Sequence, residues 1–223
     1  MKAWLLEEQT GLGAMKLVDD HPVPEPEENE VRLKVRYAGL NPADYYLAKK
    51  MYPAKPALPH ILGRDGMGTV DKAGAKASRF KEGDPVTVLR GDAGVGKPGL
   101  FAEYCCVPED RLVPVPEGWE ETQAAGAPLV FLTAYQALNQ WGEVGEGHIA
   151  LATGASGGVG LASVMLAKAQ GAKVIGLSRS DEKAREIEEL GADLVLKPDD
   201  PELVNKIKRF ATPTGVSVAV DNI

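Results

Sequence analysis

Residues 153 to 160 read Thr-Gly-Ala-Ser-Gly-Gly-Val-Gly and stand between two apolar runs. Two kinds of chemistry compete for these letters. Gly154-Ala155-Ser156-Gly157-Gly158 fits G-x-S-x-G, the sharp strand-to-helix turn that presents a nucleophilic serine in many hydrolases. Extended to Gly160, the stretch becomes a glycine-rich turn in which backbone N–H groups can approach the phosphates of a dinucleotide. A hydrolase of the first kind requires a carboxylate and then an imidazole later in the chain than its serine. His21, His60 and His148 are the only histidines, and all precede Ser156. Without a base the hydroxyl stays a weak nucleophile. The hydrolase therefore ranks below the phosphate reading.

That second reading accounts for more residues. Gly154, Gly157 and Gly160 are spaced by three rather than as G-x-G-x-x-G, yet they meet the same needs. These are a tight turn, an approach to the ligand without a Cβ, and close packing of helix on strand. The helix predicted to start at Val159 is rich in Ala and Ser, so it can lie near a sheet and aim its N-terminus at an anion. Its dipole contributes only about 0.3–1 kcal/mol. Several N–H donors to a charged oxygen, at about 1.5–3 kcal/mol each, carry the binding, with Gly158 and Val159 among them. The next predicted strand ends in Ser178-Arg179-Ser180, and Lys183 follows one turn later. Recognition of NAD calls for an acid near this point to hold the ribose hydroxyls. An acid would repel a 2′-phosphate and a cation attracts it, so Ser178, Arg179 and Lys183 favour NADPH. The competing account makes Arg179 and Lys183 a solvated helix start.

The elements that carry this turn alternate. A helical stretch from Glu121 to Trp141 precedes strand Ile149 to Thr153, and helix Val159 to Gln170 precedes strand Lys173 to Leu177. Ser180 caps a helix over Asp181 to Leu190, closed by Gly191. Leu194 to Leu196 is a third strand. Asp200 and Pro201 are predicted to cap and start a further helix with Leu203, Val204, Ile207 and Phe210 on one face, followed by strand Val216 to Val220. Strands alternating with helices imply a parallel sheet. Before Gly118 the rhythm differs. Twelve of the 16 prolines lie there, and Val31, Leu33, Val35 and Tyr37 alternate with Arg32, Lys34 and Arg36 as in a half-buried strand. Short apolar runs, Val86 to Leu89 and Tyr104 to Val107, recur among turn signals. We read a mostly β domain over residues 1–118 and half of a doubly wound α/β domain over 119–223.

One further glycine cluster, Gly91-Asp92-Ala93-Gly94-Val95-Gly96-Lys97, imitates a nucleotide-triphosphate loop. Pro98 stands where Ser or Thr should hold magnesium, and a strand rather than a helix is predicted next, so a surface turn is expected. The net charge of −7 offers no basic footprint for nucleic acid. No apolar run approaches the roughly 20 residues of a membrane helix, and the start MKAWLLEEQ lacks a signal-peptide core. Cys105 and Cys106 are neighbours on a predicted strand, facing opposite ways, so they form neither a disulfide framework nor a shared metal site. A reducing cytoplasm is expected.

YAGLNPADYY (37–46), PHILGRDGMGTV (59–70), FAEYCCVPEDRLVPVPEG (101–118), APLVFLTAYQAL (127–138), TGASGGVGLASVMLAKAQGAKVIGLSRSDEK (153–183) and the closing VSVAVDNI resemble the medium-chain dehydrogenase/reductase superfamily, in particular its zinc-free quinone oxidoreductase branch. The resemblance spans the whole chain. It implies a GroES-like β domain joined to a Rossmann domain, with the active site in the cleft between them. Zinc-dependent relatives carry a cysteine at or beside Asn41, Gly-His-Glu where this chain has Gly63-Arg64-Asp65, and a cysteine near Leu129 or Val130. Those ligands, and the cysteine cluster of a structural zinc near residues 90–106, are absent, so no metal is expected. His60 matches no ligand position and is expected in a loop. The resemblance further implies NADPH as hydride donor to a quinone or an α,β-unsaturated carbonyl. It places Asn41 near the nicotinamide and the substrate oxygen, Thr133 and Asn222 by the cofactor, and Tyr46 or Tyr52 where either orients the substrate or helps deliver a proton. Asp44 and Asp65 are expected as structural partners of nearby backbone or of Arg64. Members of the family continue past this point, so an incomplete chain lacking the second Rossmann half is expected, with a homodimer at full length. A non-catalytic NADPH-binding or scaffold protein of the same fold is the alternative.

Overall fold

Apolar residues at alternate positions, cut short by proline and glycine, fold the first part of the chain into short antiparallel strands. The computed structural model describes residues 1–222 and divides the chain into two units, Met1–Leu129 and Val130–Ile223. The division falls inside a helix that the sequence assigns to the second domain. In the first unit β1 (Ala3–Leu6), β2 (Met15–Val18) and β3 (Glu30–Gly39) precede the short helix α1 (Pro42–Ala48). Then come β4 (His60–Ile61), β5 (Asp65–Ala73), β6 (Pro85–Val88), β7 (Tyr104–Pro108) and β8 (Leu112–Pro114). Two sheets result, ordered β2-β1-β4 and β7-β3-β5-β6-β8. Val31 and Leu33 reach the core beside Val70, Val86, Val88, Val107 and Leu112. The opposite row of β3 is not simply solvated, because Arg32 lies between Asp71 (2.6 Å) and Glu25 (3.0 Å).

Two expectations for this unit need correction. His60 is no loop residue: it pairs with Leu6 in the β4–β1 ladder and is buried. The 91–97 cluster is a turn, but it is not wholly at the surface. Ala93 and Gly94 are buried, and a Cβ on Gly94 would meet the Gly63 carbonyl oxygen at 2.5 Å. The Asp92 carbonyl accepts the N–H groups of Val95, Gly96 and Lys97, so the loop turns its donors on itself rather than outward. Cys105 lies in the core and Cys106 is half-buried, and burial pushes both thiols up to about 12.

Helix α2 (Glu121–Asn139) leads into the second unit, followed by β9 (Ile149–Ala152), α3 (Gly158–Ala169), β10 (Lys173–Leu177), α4 (Asp181–Glu189), β11 (Leu194–Leu196), α5 (Leu203–Ala211) and β12 (Val218–Val220). The sheet is parallel in the order β11-β10-β9-β12. From β9 the chain moves outward on one side through β10 to β11, then returns to pair β12 on the other side. The carboxyl end of β9 is therefore the topological switch point, where open α/β sheets bind ligands. Helix α3 buries Ala162, Ser163, Val164 and Ala167, small enough for close packing on the strands, and the Ser163 hydroxyl is satisfied by the Val159 carbonyl.

Boundaries at the end of the unit differ from expectation. α5 starts at Leu203, not at Pro201, because Asp200 accepts the Glu202 N–H through its carboxylate and the Leu203 N–H through its carbonyl, forming a turn first. Leu203, Ile207 and Phe210 pack on the sheet at helical spacing, whereas Val204 points away and is 60% exposed. β12 is two residues shorter than expected: the Ser217 hydroxyl takes the Ile149 N–H and interrupts the approach to the ladder. Among the described residues no helix is long and apolar enough to cross a membrane.

Candidate functional site

In the first unit the chemistry gathers where α1 and β5 begin. Asn41 is the N-cap of α1, in extended conformation, and Pro42 starts the helix. Asp44, one turn on, returns its carboxylate to the Asn41 N–H at 3.0 Å and to the Gly63 N–H at 3.2 Å. It ties α1 to the strand end carrying Arg64 and Asp65, and its expected structural role on nearby backbone is what these bonds provide. Burial raises its pKa, and the two backbone donors act against that rise.

Asp65 is different. Only 1% of it is exposed, and neither carboxylate oxygen finds a donor at hydrogen-bond geometry. Burial lifts its pKa to about 6; the Asn41 side chain and the Leu129 backbone pull the other way. The Asn41 amide nitrogen, the Arg64 Nε and the His60 Nε2 are likewise buried without partners. Burial lowers the His60 pKa, against the Gly94 backbone. Such unpaired groups are uncommon in folded proteins, and each invites an explanation in a ligand or a function. Arg64 does hold one partner: its Nη1 donates to the Tyr52 hydroxyl at 2.8 Å, and the guanidinium carbon stands 5.3 Å from that ring's centre. The Tyr52 ring packs on a core of Leu6, Leu47, Ala48 and Leu62. Tyr46 sits apart from this group, 44% exposed, with its ring edge-on to Tyr45. Asn41 and Tyr52 are thus drawn to the Arg64–Asp65 strand end, and Tyr46 is not.

In the second unit the glycines act through backbone. Gly154 has φ +53°, in the left-handed region that glycine adopts without strain. A Cβ on Gly160 would meet the Gly154 carbonyl oxygen at 2.2 Å and Ala155 Cα at 2.7 Å. Only a hydrogen there lets α3 begin so close to the end of β9. The Ala155 N–H bonds the Leu177 carbonyl, and the Gly157 N–H closes on Gly154. The N–H groups of Ser156, Gly158, Val159 and Gly160 have no partner among the described residues. Three of them, on Gly158, Val159 and Gly160, are the orphan donors of a helix start that follows the switch point. A dinucleotide's pyrophosphate fits this cradle: four free donors, and no side chain on Gly157 or Gly158 to obstruct an approach. The Ser156 hydroxyl has no hydrogen bond to any described residue, so nothing activates it for attack.

Just beyond β10, Ser178 is buried and accepts the Ser180 N–H, while Ser180 caps α4 by accepting the Lys183 N–H. This capping arrangement leaves Arg179 and Lys183 exposed, with no ion pair among the described residues. Asn222 donates its amide to the Thr153 carbonyl, and Thr153 Oγ1 takes the Asn222 N–H and donates to Asp221. Asn222 therefore closes the same turn from the β12 side. Thr133 is an exposed residue of α2. Sequence reasoning missed Thr153 and Asp221, although a hydroxyl at a strand end was a visible signal. It also treated Arg64 only as a partner of acids. Among the described residues no three His, Cys, Asp or Glu side chains group as a metal site.

Comparison with known proteins gives this geometry a lineage. Residues 27–117 match the alcohol dehydrogenase GroES-like domain, and residues 158–223 match the zinc-binding dehydrogenase family. The quinone oxidoreductase of Pongo abelii is 33% identical over 221 residues, covering 99% of this chain, which spans 66% of that protein's length. The crystal structure of an NAD-dependent alcohol dehydrogenase superposes with a TM-score of 0.88 at 32% identity, over 94% of this chain and 67% of the other. The Escherichia coli quinone oxidoreductase, described as complexed with NADPH, gives a TM-score of 0.81 at 29% identity over 94% and 62%. A GroES-like unit joined in sequence to a parallel, switch-pointed nucleotide fold, with relatives matched along nearly its whole length, assigns this chain to the medium-chain dehydrogenase/reductase superfamily and to its quinone oxidoreductase branch.

Proposed function

We propose that the chain forms the β unit and the nucleotide-binding half-sheet of an NADPH-dependent oxidoreductase that reduces a quinone or an α,β-unsaturated carbonyl. One observation carries the reading: four unpartnered N–H groups at the switch point, with unpaired Arg179 and Lys183 beyond the neighbouring strand. The cradle takes the pyrophosphate, and the two cations take the 2′-phosphate that separates NADPH from NADH. When bound, the cofactor supplies hydride. Asn41 and Tyr52 supply polar contacts to the acceptor's oxygen, and the acceptor carbon is already electron-poor, so the reaction does not depend on a Lewis acid.

The test is cofactor discrimination by Arg179→Ala. Losing one charge-assisted contact weakens NADPH by about 1.5–3 kcal/mol, or about 10- to 150-fold, and leaves NADH nearly unchanged. Fluorescence titration of both cofactors measures it, and equal losses reject the 2′-phosphate role. Oxidation of NADPH with 1,4-benzoquinone or a short enone tests the reaction itself. Bound NADPH without turnover on any acceptor selects the scaffold alternative.

A further inference from the structure

We infer that Arg64 is a positioning residue that makes Tyr52, and not Tyr46, the hydroxyl presented to the acceptor's oxygen. The inference deepens the quinone or enone reductase reading and rests on it. A phenol oxygen that accepts from a guanidinium at 2.8 Å must turn its own hydrogen elsewhere. The Arg64 guanidinium has no acceptor lone pair and only donates, so the Tyr52 O–H is left to donate away from it. Three further features fix the pair. The Tyr52 ring is seated on buried Leu6, Leu47 and Leu62. The guanidinium also lies against that ring, 5.3 Å from its centre. The buried carboxyls of Asp44 and Asp65 lie near enough to Arg64 to feel its charge, which holds the cation at this strand end. Tyr46 has none of these supports and is 44% exposed. The unpartnered Arg64 Nε and Asn41 amide nitrogen add two more donors to the same group of residues, which suits a ligand rich in oxygen acceptors.

The proton then has a defined course. The O–H bond of Tyr52 breaks, the proton joins the oxygen of the reduced acceptor, and the electron pair left on the phenol oxygen faces the Arg64 guanidinium. Water restores the proton. Arg64 touches no reacting atom in this scheme and acts through Tyr52.

Tyrosine labelled with carbon-13 at the ring carbon bearing the hydroxyl tests the contact in the intact protein without cofactor. The Tyr52 resonance, assigned by its loss in Tyr52→Phe, shifts in Arg64→Met and moves back toward its original position in Arg64→Lys, while the Tyr46 resonance stays in place. A Tyr52 resonance indifferent to Arg64→Met overturns the inference. Kinetics supply the second arm. Arg64→Met and Tyr52→Phe each lower kcat by about 10- to 100-fold, with NADPH affinity kept within about twofold, and the double variant is no slower than either alone. Additive losses, or a wild-type rate in Arg64→Met, remove the positioning role while the reductase reading stands. A wild-type protein that turns over no quinone or enone removes both, even where the resonance has moved.

Discussion

The corner at the start of β5 and the turn after β9 are both built to meet a ligand, but they are built in opposite ways. At the corner, side chains carry the chemistry. Asn41, Arg64 and Asp65 each leave a buried polar atom unpaired. At the turn, backbone carries it. Gly154 bends the chain, Gly160 lets the helix close on the strand, and the surrounding polar groups, Thr153, Asp221 and Asn222, are bonded to one another. The corner holds electrostatic cost in the folded protein; the turn holds steric exactness. A substitution that relieves the first stabilises, and one that crowds the second destabilises.

Gly160→Ala is the largest test of this contrast. The added carbon meets two backbone atoms, at 2.2 and 2.7 Å, which cannot rotate away. Overpacking of this kind costs about 1–3 kcal/mol, and rigid backbone on both sides puts it at about 3 kcal/mol or beyond. Gly157→Ala meets only the Gly154 carbonyl oxygen at 3.4 Å, an ordinary contact, and costs about 1 kcal/mol as a poorer N-cap. Hydrogen exchange of the β9 and β10 amides in both variants measures the difference. Similar losses would show that the turn is not sterically closed at Gly160.

Asp65→Asn tests the corner and has the opposite sign. The folded-state pKa of Asp65, about 6, stands above its ordinary 3.8. The folded protein therefore keeps a proton that the unfolded chain has released over that interval. Its stabilising share is whole below about pH 4 and is lost as the pH rises through about 6, so at pH 7.5 the buried carboxylate weighs against folding. A rise from 3.8 to about 6 corresponds to about 3 kcal/mol, and relaxation of the site reduces what is measured. The amide removes the charge at nearly equal volume. Urea denaturation finds Asp65→Asn about 2 kcal/mol more stable than the parent at pH 7.5 and equal to it at pH 4. A variant less stable at pH 7.5 would mean that the carboxylate is paired in solution. His60 works in the same unit with the reverse dependence: its lowered pKa gives stability that is present above about 6.5 and lost on acidification.

The same contrast explains what could be read from the letters. A need for backbone room can be met only by glycine, so the turn was legible in Gly154, Gly157 and Gly160. The capping serine of α4 was legible for a similar reason, because Ser180 serves residues three positions away. The unpaired state of Asp65 was not legible. It arises when β5 packs near Asn41, 24 positions earlier, and local pattern carries no record of which donors fall short. His60 and Val204 went astray for related reasons. Ladder pairing to Leu6 buried the first, and the second lies about 100° round α5 from Leu203, off the face that Leu203, Ile207 and Phe210 share.

The smallest effect concerns the link between α1 and Tyr52. α1 ends in two bonds, from the Lys50 N–H to the Leu47 carbonyl and from the Met51 N–H to the Tyr46 carbonyl, the pattern that normally places glycine in the left-handed position. Here that position is Lys50, with φ +59°, the only non-glycine residue of positive φ among the described residues. The reversal brings Tyr52, two residues on, back onto the core beside Leu47 and within reach of Arg64. A non-glycine side chain in this conformation costs about 1 kcal/mol, offset in part by the added freedom glycine gives the unfolded chain. Lys50→Gly therefore raises stability by about 0.5 kcal/mol, read as a small upward shift in the urea midpoint of the first unit. The Tyr52 ring-carbon resonance stays where it was, since the reversal is kept and only its strain is removed. A destabilised variant, or a displaced Tyr52 signal, would mean that the lysine side chain itself holds the turn.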